Sequence, residues 1–159
     1  MAGKCAVIGV EGVKARLERM KSAAFRRAVE EEGARAAADQ VALAFRTEGA
    51  HYGEKWAPRK ESTLRKLTAR KRKKNGKMGK ARQAKPLLRD TGTLSKSFFA
   101  KGPAVATPVE YAVYHEFGTK NMKARPVMPF DAAGKPRSPA VERAVLRAME
   151  AAARRELSK

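Results

Sequence analysis

The stretch VEGVKARLERMKSAAFRRAVEEEGARAAADQVALAFRTE, residues 10–48, repeats small or apolar side chains at intervals of three and four: Val13, Leu17, Met20, Ala24 and Ala28, then Ala37, Val41 and Phe45. That spacing is the period of a helix with one Ala-rich apolar face, so residues 10–48 are expected to form one long helix. Gly33, after the acidic run Glu30 to Glu32, is expected to weaken it midway and kink it, and Glu48-Gly49 to end it. Small residues on that face let another helix or a sheet approach closely. A second pattern of this kind occupies residues 138–157, with Ser138 as cap, Pro139 in the first helical position and Val141, Val145, Ala148, Met149 and Ala152 as its buried stripe.

Between the two helices the signals change. Gly49, Gly53 and Pro58 surround the only tryptophan, Trp56, which reads as a core anchor at a turn. Residues 59–85 have few large apolar side chains and many basic ones: Arg65, Lys66, Arg70, Lys71, Arg72, Lys73, Lys74, Lys77, Lys80 and Arg82. Like charges this dense repel one another, so the segment is expected to be a mobile basic arm, with Ser62–Arg70 as a short helix at its start. Residues 86–130 are the expected sheet region. Asp90 to Leu94 reads as a turn, and Ser97–Ala100 and Ala104–Thr107 as antiparallel strands around Gly102-Pro103. Tyr111 to Gly118 reads as a helical turn with Tyr111, Tyr114 and His115 on one face and Gly118 as a left-handed stop. Ala124 to Phe130, with two prolines, is expected to be an extended edge strand. The expected architecture is therefore a single α+β domain over residues 1–159: a long N-terminal and a C-terminal helix packed on a small, mainly antiparallel sheet, with a long basic loop.

Composition narrows the function. Alanine supplies 30 of the 159 residues, while Leu, Ile, Val and Phe together supply only 27, a thin core that points to assembly with copies or partners. The net charge of +20 is uneven: residues 1–54 carry +1, residues 55–90 carry +13 and residues 91–159 carry +6. Such potential favours a polyanion or an acidic protein face without choosing between them. The single cysteine, Cys5, allows neither an internal disulfide nor a zinc knuckle and fits a reducing cytoplasm. The apolar run Cys5 to Val10 is too short for a signal-peptide core or a membrane span, so a soluble protein without a membrane partner is expected.

Groups able to do chemistry are few. His115-Glu116 lacks the second histidine one turn along that a zincin helix requires, and no glycine pattern completes a phosphate cradle. Neither catalytic residues nor a cofactor or metal is expected. His115 reads as a hydrogen-bonded histidine packed between aromatics rather than as a pH-sensitive or catalytic imidazole.

The order of these signals is itself informative. A long helix, Gly-Glu-Lys-Trp56-Ala-Pro58, a basic stretch, Pro86-Leu87-Leu88 to Gly92-Thr-Leu94-Ser-Lys-Ser97, Tyr111-Ala112-Val-Tyr114-His115-Glu-Phe117-Gly118 and Ala124-Arg125-Pro126 resemble the phage virion-morphogenesis, or tail-completion, family of tailed phages such as Mu. Glu116 to Thr119 is also similar to the tail components of long-tailed siphophages. The resemblance implies a non-enzymatic structural protein of the virion, assembled in the bacterial host cytoplasm. It would act at the neck in tail completion or head–tail joining, as a ring of copies with a hexamer among the candidates. The implied partners are the protein itself and tail-tube, connector or neck proteins, with nonspecific contact to DNA. In this reading Trp56, Leu88, Gly92, Leu94, Ser97, Tyr111, Tyr114, His115, Phe117 and Gly118 are scaffold. Arg125 and Pro126 are expected at a subunit boundary, with Arg125 gripping a carboxylate. The rival expectation, from charge alone, is a small basic protein that binds nucleic acid nonspecifically.

Overall fold

Residues 10–48 make two helices rather than one: α1 (Val10–Lys21) and α2 (Ala23–Arg46). The computed structural model describes residues 10–69 and 85–158. The break falls at Ser22, whose hydroxyl accepts the Phe25 amide at 3.1 Å and so caps a new helix. Gly33, the expected kink, lies inside uninterrupted α2. Its role is close approach: a methyl group there would stand 2.9 Å from Met149 Cγ on the facing helix.

That facing helix is α5 (Pro139–Leu157), capped by the Ser138 hydroxyl on the Val141 amide. The two helices pack along each other, and Val141 and Ala152 are fully buried. The rest of the expected α5 stripe is half-buried. Nearer its C-terminus α2 turns Val41, Ala44 and Phe45 into the main core with Trp56, Leu87, Leu94, Ala112 and Val127. Phe45 meets Trp56 edge to face at 5.3 Å.

The sheet is a hairpin of β1 (Phe99–Lys101) and β2 (Ala104–Ala106), in the register Phe99–Ala106, Ala100–Val105 and Lys101–Ala104 around Gly102-Pro103. Both strands lie against α2. The architecture is thus α+β, with the long helices of both halves and a small antiparallel sheet.

Two short elements complete it: α3 (Glu61–Thr68) and α4 (Ala112–Phe117). The chain enters the turn before Trp56 through Gly49, at φ +89°, where any Cβ would lie 2.5 Å from the Trp56 ring. Of the expected basic arm, Arg65 and Lys66 belong to α3, with Arg65 paired to Glu61 one turn earlier. Arg70, Lys71, Arg72, Lys73, Lys74, Lys77, Lys80 and Arg82, like Cys5, lie outside the described residues. Among the described residues no helix is long and apolar enough to cross a membrane.

Candidate functional site

The segment 124–130 was expected as an edge strand, but it has no strand partner and forms only an isolated bridge at Phe130. Its backbone groups are instead taken up mostly by side chains. The Glu116 carboxylate, on α4, accepts the amides of Val127 at 2.7 Å and Met128 at 2.9 Å. The Trp56 indole donates to the Pro126 carbonyl at 2.7 Å, the Tyr52 hydroxyl to the Val127 carbonyl at 3.0 Å and Arg137 Nε to the Met128 carbonyl at 3.0 Å. With its hydrogen bonds met this way, the segment needs no neighbouring strand.

Glu116 is buried and stands at the centre of this arrangement, with its second oxygen paired to the Arg137 guanidinium. A buried carboxylate is tolerated only with such partners. Burial, helped by the Glu116 charge, pushes the Tyr52 phenol far above its ordinary pKa, which keeps the proton it donates to Val127. α4 stops at Gly118, at φ +77°, where a Cβ would lie 2.8 Å from the Ala124 amide nitrogen, so the turn into 119–124 requires glycine.

Beside this lock lies a hollow of about 690 Å³ between the start of α3, the 88–94 turn, α4 and residues 121–125. Its charged lining is Arg59, Lys60, Lys123 and Arg125 against Asp90 alone. Arg125 was expected at a subunit boundary gripping a carboxylate. It is buried, and its guanidinium instead donates to the carbonyls of Ala57 at 2.8 Å and Pro58 at 3.2 Å. Arg59 likewise donates to the carbonyls of Lys85 and Pro86 at 2.7 and 2.8 Å. Burial, and after it the charge of Arg59, lowers the pKa of Arg125. Asp90 is held below its usual range by the hydrogen bond and charge of Lys85, which it meets at 2.8 Å. His115 lines the same hollow, stacked edge-on by Tyr111 at 5.9 Å. Its Nδ1 is buried and has no hydrogen-bond partner among the described residues. Burial, and after it the Arg125 charge, lowers its pKa and so favours the neutral ring.

No family model, curated protein or solved structure matches this chain.

The residues expected as scaffold fall into two groups. Trp56 and Leu94 are core, Leu88 packs on its margin at φ +56°, and Ser97 bonds the Thr107 hydroxyl at 2.6 Å, tying the two ends of the hairpin. Gly92 lines the hollow with Tyr111 and His115. Pro126 supplies the carbonyl that Trp56 holds. Tyr114 and Phe117, by contrast, are 58% and 68% exposed. With Val113 they form an apolar α4 face, and Val113 and Phe117 line a smaller groove of about 330 Å³ with Phe98, Met128 and Phe130. The α1 stripe Val13, Leu17 and Met20 is exposed as well. Sequence reasoning missed Glu116, Arg137, Arg59, Lys60 and Lys123. A signal existed for the first, which is the one acidic residue between Glu110 and Asp131 and sits inside an aromatic run.

Proposed function

We propose that this chain is a non-enzymatic phage virion protein that acts at the neck, in tail completion or head–tail joining, as a ring of identical subunits. The observation that carries the reading is a pair of apolar surfaces on different elements, exposed among the described residues: Val13, Leu17 and Met20 along α1, and Val113, Tyr114 and Phe117 on α4. Two unlike adhesive surfaces on one subunit are what a head-to-tail contact joins, and such contacts close into rings. The ordered motifs from Trp56 to Pro126 add support through their resemblance to the tail-completion family, and the thin core suits a subunit stabilised by its neighbours. Its place would be the virion, after assembly in the host cytoplasm, with tail-tube, connector or neck proteins as partners.

Light scattering after size exclusion, in salt high enough to screen nucleic-acid bridging, tests the reading. A discrete mass several times that of one chain is expected. The net charge of +20 favours one rival, a nonspecific nucleic-acid binder. A monomer at every concentration that bound duplex DNA with a steep salt dependence would replace the ring with that rival.

A further inference from the structure

The hollow beside α4 holds positive charge that its own structure does not neutralise. Arg59 and Arg125 donate to four backbone carbonyls, which satisfy donors but carry no net charge. Lys60 and Lys123 have no carboxylate within ion-pair distance among the described residues. The one acid in the lining, Asp90, is already paired with Lys85. Four cations against one carboxylate give the hollow a positive potential that favours a further anion. The rest of the wall mixes apolar Leu88, Met122 and the Tyr111 ring with polar Thr63, Thr91 and Asn121.

We propose that this hollow receives an acidic protein segment, its carboxylate set among Arg59, Lys60, Lys123 and Arg125 and a neighbouring apolar side chain laid on Leu88 and Met122. Mixed lining of this kind is how a pocket combines orientation with burial. The shape favours a side chain over a nucleic acid: a DNA duplex receives protruding elements in its grooves and cannot enter a hollow. The binding is separate from ring formation and is read on whatever oligomer the protein adopts.

Titration calorimetry of the full chain with a capped peptide of alternating glutamate and leucine tests this, against the same peptide with glutamine, sodium phosphate and a short DNA duplex. The glutamate peptide is expected to bind and the glutamine peptide to bind at least about tenfold more weakly. Reversing charge in the double variant Lys60→Glu/Lys123→Glu, two exposed positions, should weaken the glutamate peptide by about tenfold or more. Lys101→Glu/Arg147→Glu, with the same change in net charge elsewhere on the surface, should retain it. Equal affinity for the two peptides, equal loss in both variants, or binding of only phosphate or only the duplex would overturn the proposal.

Discussion

Glu116 shows how one side chain takes the place of a strand. It accepts two consecutive amides and one guanidinium, so its charge and both of its oxygens are in use. Glu116→Gln keeps the shape but removes the charge, and should destabilise the fold by about 2 kcal/mol in urea unfolding. Arg137→Met should do similar damage, and the double variant should cost less than the two single losses together, because neither change then leaves a buried charge alone. His115 makes a separate, pH-dependent contribution. Its folded pKa lies below the unfolded value of about 6.5, so below that pH the unfolded chain binds a proton that the folded chain refuses. Stability is therefore full above 6.5, falls as pH drops from there through the folded pKa, and levels off below it. Unfolding followed across pH 4–8 should show this acid loss shrink in His115→Gln. The sequence marked Glu116 only as a lone acid within an aromatic run, and what the two side chains do was not legible in it. Glu116 and its two amides are neighbours only after α4 and residues 119–124 have turned the chain back, and Arg137 reaches the carboxylate from beyond a further bend.

At the scale of elements, α2 and α5 were plain from their spacing of apolar residues, and the hairpin from two short runs around Gly102-Pro103. The break at Ser22 was harder to see, because a serine in a helical pattern serves equally as a solvent-facing residue or as a cap, and the outcome depends on whether α1 has anything to pack against. Gly33 misled for the opposite reason. Its intrinsic cost in a helix suggests a kink, yet α2 runs uninterrupted through it where Met149 approaches closely. Gly33→Leu should force the two helices apart and cost about 2 kcal/mol. Adding Met149→Ala to that variant should restore part of the loss, a coupling that thermal unfolding of the four proteins of the cycle would measure. The supposed edge strand failed because sequence patterns report extended backbone, not where its hydrogen bonds go.

At the scale of the molecule, the apolar stripe of α1 does little for the fold of a single chain. Among the described residues α1 touches α2 and α5, and Arg19 donates from it to the carbonyls of Glu156 at 3.5 Å and Leu157 at 3.3 Å. A twelve-residue helix with an exposed apolar stripe has little reason to persist alone in water. Val13→Glu/Leu17→Glu should therefore leave unfolding within about 0.5 kcal/mol of the parent while lowering the mass seen by light scattering. An unchanged mass would overturn the head-to-tail contact between the α1 and α4 surfaces.

The ties between residues 52–58 and 125–128 also govern how the chain must be made. Tyr52, Trp56 and the carbonyls of Ala57 and Pro58 wait for partners about seventy residues downstream. The small-residue face of α2 waits longer still, until α5 has left the ribosome. At ordinary rates of synthesis that interval is about 5–20 s, during which an apolar helix stands uncovered on a nascent chain. That face of α2 is therefore covered late, once α5 has emerged.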